Sequence, residues 1–235
     1  MKHLTSNIKP VIVSYASKGR EDYNKGLDRL HDSLIKCGWE GDYWLHSKER
    51  DGNLTSCNLF EHKEHFEVPY LFKFTMIQTL REQGYTKIIW LDSSLVLDRA
   101  DVTDLLNVGV MCYDNLGHPL YKYISDEAVK NLEIKTEELL FMKQTWGGAI
   151  GFDFSREWVC ELFSKIIEQA HKGSFNEGSS ERYGFVAHRH DQAVMSVIFS
   201  QYGVPFLQYG NIVTYPHYMT NEYGNSFYIS HRPIA

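Results

Sequence analysis

The segment Lys87-Ile88-Ile89-Trp90-Leu91 constrains the fold more than any other, because it is an apolar run that ends abruptly at Asp92-Ser93-Ser94. A run of this length and composition suits a strand buried on both faces, which occurs where helices cover the two sides of a mostly parallel sheet. In such open sheets ligands bind beyond the carboxyl ends of the strands, so Asp92 stands where chemistry is expected.

The elements around this strand agree with an α/β chain. Val11-Ile12-Val13-Ser14 reads as a first strand, and Leu27, Leu30 and Leu34 recur at helical spacing before the stop signal Gly38. Asp42-Tyr43-Trp44-Leu45 reads as a second strand, and Pro69 to Gln83, with Leu71, Ile77 and Leu80, as a helix terminated by Gly84. Farther on, Gly148 to Phe154 reads as a strand. Ser155 is a suitable N-cap for a helix from Arg156 to about His171, with Val159, Leu162, Phe163 and Ile166 on its apolar face. A Gly- and Ser-rich stretch from Gly173 to Tyr183, of a length often used for substrate lids, precedes a helix from Gln192 to Tyr202 closed by Gly203. No repeat or linker divides the chain, so a single domain is expected.

Composition removes several function classes. At 235 residues with 43% hydrophobic content the chain can fill a sizeable core, which excludes a disordered reading. A formal charge of −6 argues against a broad nucleic-acid surface. No apolar run is long enough to span a bilayer, and Met1–Pro10 lacks the apolar centre of a signal peptide, so a cytoplasmic location is expected. Cys37, Cys57, Cys112 and Cys160 form no CxxC pair and read as free thiols. There is no GxGxxG and no GxxxxGK[ST], which makes dinucleotide and P-loop readings poor. His188 and His190 form an HxH pair, but Gln192 and Ala193 stand where an HxHxDH metal site needs Asp and His.

The stretch PYLFKFTMIQTLREQGYTKIIWLDSSLVLDRADVTDLL resembles the donor-binding core of the A-type (GT-A) nucleotide-sugar glycosyltransferases. In that superfamily a helix carrying Arg or Lys precedes an apolar strand ending in a DxD motif, and a "D..dL" segment follows. The matching positions are Lys73, Lys87–Leu91, Asp92-Ser93-Ser94, and Asp101 to Leu105. A departing diphosphate needs its growing charge neutralised, which a carboxylate-held divalent ion and a lysine provide. Ser94 at the third motif position removes one hard ligand from an Mn²⁺ or Mg²⁺ site.

Three further segments extend the resemblance. Gln144 to Phe152, containing Trp146-Gly147-Gly148, is similar to the small-residue strand of retaining members. His188-Arg189-His190-Asp191-Gln192 is similar to the helix start that lies under the donor sugar, which implies a catalytic role for Asp191 and Gln192 and a donor contact for His190. His231, after a strand-like run, resembles the terminal histidine that completes the metal site or touches the diphosphate, with Asp92 and Ser94 as the other metal-site positions. The resemblance also implies nucleotide contacts from Ser14, Tyr15, Lys18 and Arg20, and donor contacts from Lys73, Asp92 and Ser93.

The expected fold is thus a GT-A-like α/β domain, Rossmann-like, with a mixed, mostly parallel sheet flanked by helices, for which the resemblance implies a nucleotide-binding half over about 8–110 and a sugar and acceptor half over about 111–235. The expected activity is transfer from a nucleotide-diphosphate sugar, UDP-sugar foremost, to a glycan, lipid-linked or other acceptor. A sugar nucleotidyltransferase and a non-catalytic binding domain are the alternatives.

Overall fold

The central sheet owes its place to strands whose alternate residues are apolar on both faces. Strand β1 (Val11–Ala16) sends Val11 and Val13 to one face and Ile12 to the other. It pairs in parallel with β2 (Asp42–Ser47) on one side and β3 (Lys87–Leu91) on the other. Beyond β3 the sheet continues antiparallel through β6 (Ala149–Asp153) to the short β5 (Val110–Met111), giving the order β2-β1-β3-β6-β5. Four strands therefore run one way and β6 runs against them. A smaller sheet of β4 (Leu95–Leu97), β8 (Ile229–His231) and β7 (Ile212–Val213) lies in the order β4-β8-β7. The structure is a computed structural model that describes residues 9–16, 21–47, 68–115, 117–207, 212–213 and 228–231.

Helices cover both faces. Helix α1 (Glu21–Cys37) places Leu30 and Leu34 against Ile12, Ile89 and Leu91, and Gly38 ends it at φ +77°. On the opposite face α2 (Leu71–Glu82), α4 (Glu157–His171) and α5 (His190–Gln201) gather Phe74, Ile77, Phe163 and Val197 around Trp90 and Phe152. Helix α5 is buried along nearly its whole length, as a helix apolar on every side must be. A short helix, α3 (Asp126–Asn131), is capped by the Ser125 side chain.

One local expectation changes. Ser155 does not cap α4: its hydroxyl donates to Asp153 Oδ1 at 2.6 Å, and Arg156 takes the cap position with no side-chain cap bond. The stretch following Gly173 is fastened to the start of α3, with Asp126 N–H donating to Ser179 O at 3.0 Å and Ser180 Oγ to Asp126 Oδ1 at 2.7 Å. Cys37, Cys112 and Cys160 are free thiols, and Cys57 lies outside the described residues. Among the described residues no helix is long and apolar enough to cross a membrane.

Candidate active site

The carboxyl end of β3 and the amino end of α5 meet at one buried lysine. Lys73, on the first turn of α2, is 3% exposed, and its ammonium donates to Gly147 O at 2.8 Å. The same nitrogen lies 3.2 Å from Asp191 Oδ2 and 3.6 Å from Asp92 Oδ1. Burial alone would lower the lysine's pKa, but the two carboxylates outweigh it and hold the ammonium charged. Asp191 moves upward because its own burial outweighs the attraction of Lys73. The outcome is one fixed cation between two anions, with the buried anion more basic than an ordinary aspartate.

Around this pair opens a cleft of about 310 Å³ lined by Tyr70, Lys73, Asp92, Trp146, Gly147, Gly148 and the five residues His188 to Gln192. Gly147 forms part of its wall. A methyl group there would stand 3.5 Å from both Gln192 Oε1 and Lys73 Nζ and 3.6 Å from Asp191 Oδ2, so three polar atoms converge over one glycine. Gln192 Oε1 accepts from Gly147 N–H at 3.3 Å. Gln192 Nε2 is buried and donates to nothing among the described residues, and Asp191 Oδ2, also buried, has the Lys73 ammonium 3.2 Å away as its neighbour. A buried donor without an acceptor is costly in a fold, and this one belongs to a residue that lines the cleft. Gly148 is required by Trp146, whose ring would meet a Cβ at 2.6 Å.

Asp92 faces the cleft with 39% of its side chain exposed, and its Oδ1 accepts from Trp90 Nε1 at 2.7 Å. Its backbone N–H donates to Gly148 O at 2.8 Å, which binds the motif to the glycine strand. Two backbones at the rim are strained: Tyr70, just before α2, has φ +62°, and His190 has φ +38°. Left-handed conformations at non-glycine residues persist only where the surroundings enforce them, and they concentrate at functional sites. At His190 the enforcement is visible. Its Nδ1 lies 2.9 Å from Phe175 O, while neighbouring His188 places Nε2 2.9 Å from Ser174 O and receives Ser125 N–H on Nδ1 at 3.2 Å. Those partners fix His188 as the neutral Nε2–H tautomer, and burial pushes its pKa down to about 4. The HxH pair is thus a clamp on the entrance to α5.

Lys73, Asp92, Trp146, Gly147, Gly148, His190, Asp191 and Gln192 come together in this cleft. Ser14 and Ser93 are buried, and Tyr15 packs edge-on against Phe72 with ring centres 5.3 Å apart; none of the three lines the cleft. Lys18 and Arg20 lie outside the described residues. Ser94 presents its carbonyl to Arg29 Nη2 at 3.1 Å. The backbone of His231 pairs with Leu95, at the base of the Asp92 turn. Asp101, in the 3₁₀ turn Ala100–Leu106, pairs with Arg99 on the surface. Among the described residues no three His, Cys, Asp or Glu side chains converge as a metal centre. Sequence reasoning missed Tyr70 and Arg189 as cleft residues: a positive φ at tyrosine has no sequence signature, and Arg189 lay unassigned inside a motif read for its neighbours.

No sequence-family model matches this chain, and no curated protein matches it. Solved structures do. A glycosyltransferase involved in the glycosylation of the major capsid of PBCV-1 is 11% identical, with a TM-score of 0.53 over 94% of this chain and 92% of that one. The galactosyltransferase LgtC, solved with donor and acceptor sugar analogs, is 13% identical, with a TM-score of 0.52 over 94% and 86%. Mouse xyloside xylosyltransferase 1 is 9% identical, with a TM-score of 0.55 over 95% and 97%. At these identities the likeness shows the fold, and that fold is the GT-A type.

Proposed function

We propose that this GT-A-fold chain transfers a sugar from a nucleotide-diphosphate sugar, UDP-sugar foremost, to an acceptor hydroxyl with retention at the anomeric carbon. The observation that carries the reading is the Lys73 ammonium held between Asp92 and Asp191 over the Gly147 wall. In the reaction the bond from C1 to the β-phosphate oxygen breaks, the diphosphate leaves with the electron pair, and the acceptor oxygen bonds to C1 on the same face. The acceptor proton passes to the departing phosphate oxygen. Asp191, made more basic by burial, stabilises the positive charge developing at C1, and the unfilled Nε2 of Gln192 donates to the donor sugar. Lys73 keeps Asp191 ionised and in place.

Asp92 offers a partly exposed carboxylate with one oxygen already engaged by Trp90, which fits a cation whose remaining ligands are substrate oxygens. Asp92 would hold Mn²⁺ or Mg²⁺, with Ser94 in the same turn and His231, on the strand paired with β4, as the further candidate positions, and the ion would add positive charge at the diphosphate. Thermal shifts with UDP-, GDP- and CDP-sugars, with and without Mn²⁺, together with product analysis, test the reading. Nucleoside diphosphate release supports it. Pyrophosphate release from a nucleoside triphosphate and sugar phosphate, or binding with no turnover, contradicts it.

A further inference from the structure

Arg189 stands out from the other charged groups of the cleft. Lys73, Asp92 and Asp191 compensate one another, and Arg99, Arg156 and Arg182 pair with Asp101, Asp153 and Asp126. Arg189 has no carboxylate partner among the described residues, in a chain with a formal charge of −6. Its position is nonetheless fixed. The guanidinium lies over the Tyr123 ring at 4.6 Å, Nη2 is 3.4 Å from His118 Nδ1, and its backbone N–H donates to Tyr123 O at 2.9 Å. The His118 and Tyr123 rings meet edge-on with centres 5.2 Å apart, closing the bracket. Burial and the adjacent guanidinium hold the imidazole's pKa down, so His118 accepts from Arg189 and does not repel it.

A guanidinium carries five donors in a planar fork, and the bracket uses one of them. The others are oriented without an internal anion, two residues before Asp191 and on the wall of the same cleft. Rigid, unpaired guanidinium forks match carboxylate and phosphate oxygens. The bracket belongs to residues 118–123 and not to the Asp92 turn at the end of β3, where the proposed function puts the donor diphosphate. We infer that Arg189, held by Tyr123 and His118, is an acceptor subsite for an anionic sugar carrying a carboxylate or a phosphate. This inference rests on reading the cleft as a site of glycosyl transfer.

Calorimetric titration of the full chain separates the possibilities. The probes are the methyl glycosides of glucuronic and galacturonic acid, glucose 6-phosphate, the neutral methyl glucoside and galactoside, and UDP. At least one anionic sugar should bind about tenfold or more tightly than its neutral counterpart, and Arg189→Gln should abolish that preference while UDP affinity stays within about twofold. The uronide and phosphate arms tell which anion is taken. Equal binding of charged and neutral sugars, or an equal loss of UDP affinity in Arg189→Gln, overturns the inference. An anion preference that Arg189→Gln abolishes, in a protein that releases no nucleoside diphosphate from UDP-, GDP- or CDP-sugars, leaves the anion site standing and defeats the transferase reading instead.

Discussion

Lys73 Nζ lies 3.2 Å from Asp191 Oδ2, and the two side chains, from the first turns of α2 and α5, are almost wholly buried. Two helices far apart in sequence are thereby joined by charge at the floor of the cleft. A buried pair is weak evidence for stability as a pair, but removing one partner strands the other. Lys73→Met should therefore lower unfolding free energy by about 3–5 kcal/mol, and adding Asp191→Asn should restore much of it. Urea denaturation of the single and double variants measures both. A single-variant loss below about 1 kcal/mol contradicts a desolvated ion pair.

Asp92 tests the donor end of the site. Its side chain is partly exposed at the cleft, so Asp92→Ala should abolish sugar transfer with the fold intact by circular dichroism. Excess EDTA should reduce turnover without eliminating it, since Lys73 supplies a fixed cation 3.6 Å from the same carboxylate. Ser94→Asp should then tighten Mn²⁺ binding. Near-wild-type turnover in Asp92→Ala would show that the donor site is misplaced.

Gly147→Ala isolates the cleft from the fold. The added methyl meets its neighbours at ordinary contact distances of 3.5 Å and more, so the melting temperature should stay within a few degrees. It caps the space shared by Lys73, Asp191 and Gln192, and turnover should fall about 100-fold. Gly148→Ala is the contrasting case, because the Trp146 ring must move to admit it. Equal activity in wild type and Gly147→Ala would remove this face from the substrate path.

The pH dependence of stability follows from His188. Its pKa falls from 6.5 to about 4 on folding, so the neutral ring is the folded form. The contribution is complete above pH 6.5. Between pH 6.5 and 4 the unfolded chain binds a proton that the folded chain refuses, and stability declines by up to about 3 kcal/mol before levelling off. Denaturation at pH 7.5 and 4.5, compared with His188→Gln, should show the steeper loss in wild type. Identical slopes would mean that the ring is solvated.

The sequence made the framework legible where periodicity and stop signals coincide. β1, α1 and β3 were readable from Val11–Ser14, the Leu27-Leu30-Leu34 spacing and Lys87–Leu91, because burial on a regular element leaves a regular pattern. The antiparallel placement of β6 was not legible, since a short apolar strand carries no record of its direction. In the site, Lys73 and Asp191 could be singled out separately, but their contact depends on packing across more than a hundred residues. Ser155 misled for a related reason: a hydroxyl that suits a cap also suits the neighbouring Asp153 carboxylate, and the latter bond forms. Arg189 was hidden because its bracket comes from Tyr123 and His118, in a segment with no motif of its own.

Under the proposed function this cleft breaks the bond between a sugar and a nucleoside diphosphate with Asp191 facing the anomeric centre. The most direct measurement is the rate of nucleoside diphosphate release from UDP-, GDP- and CDP-hexoses by wild type and Asp191→Asn, with nucleotide affinity measured alongside. The expected result is release from a UDP-sugar, a loss of about 100-fold or more in Asp191→Asn, and nucleotide affinity changed by no more than about threefold. Absence of release from every donor, or equal rates in the two proteins, would contradict it.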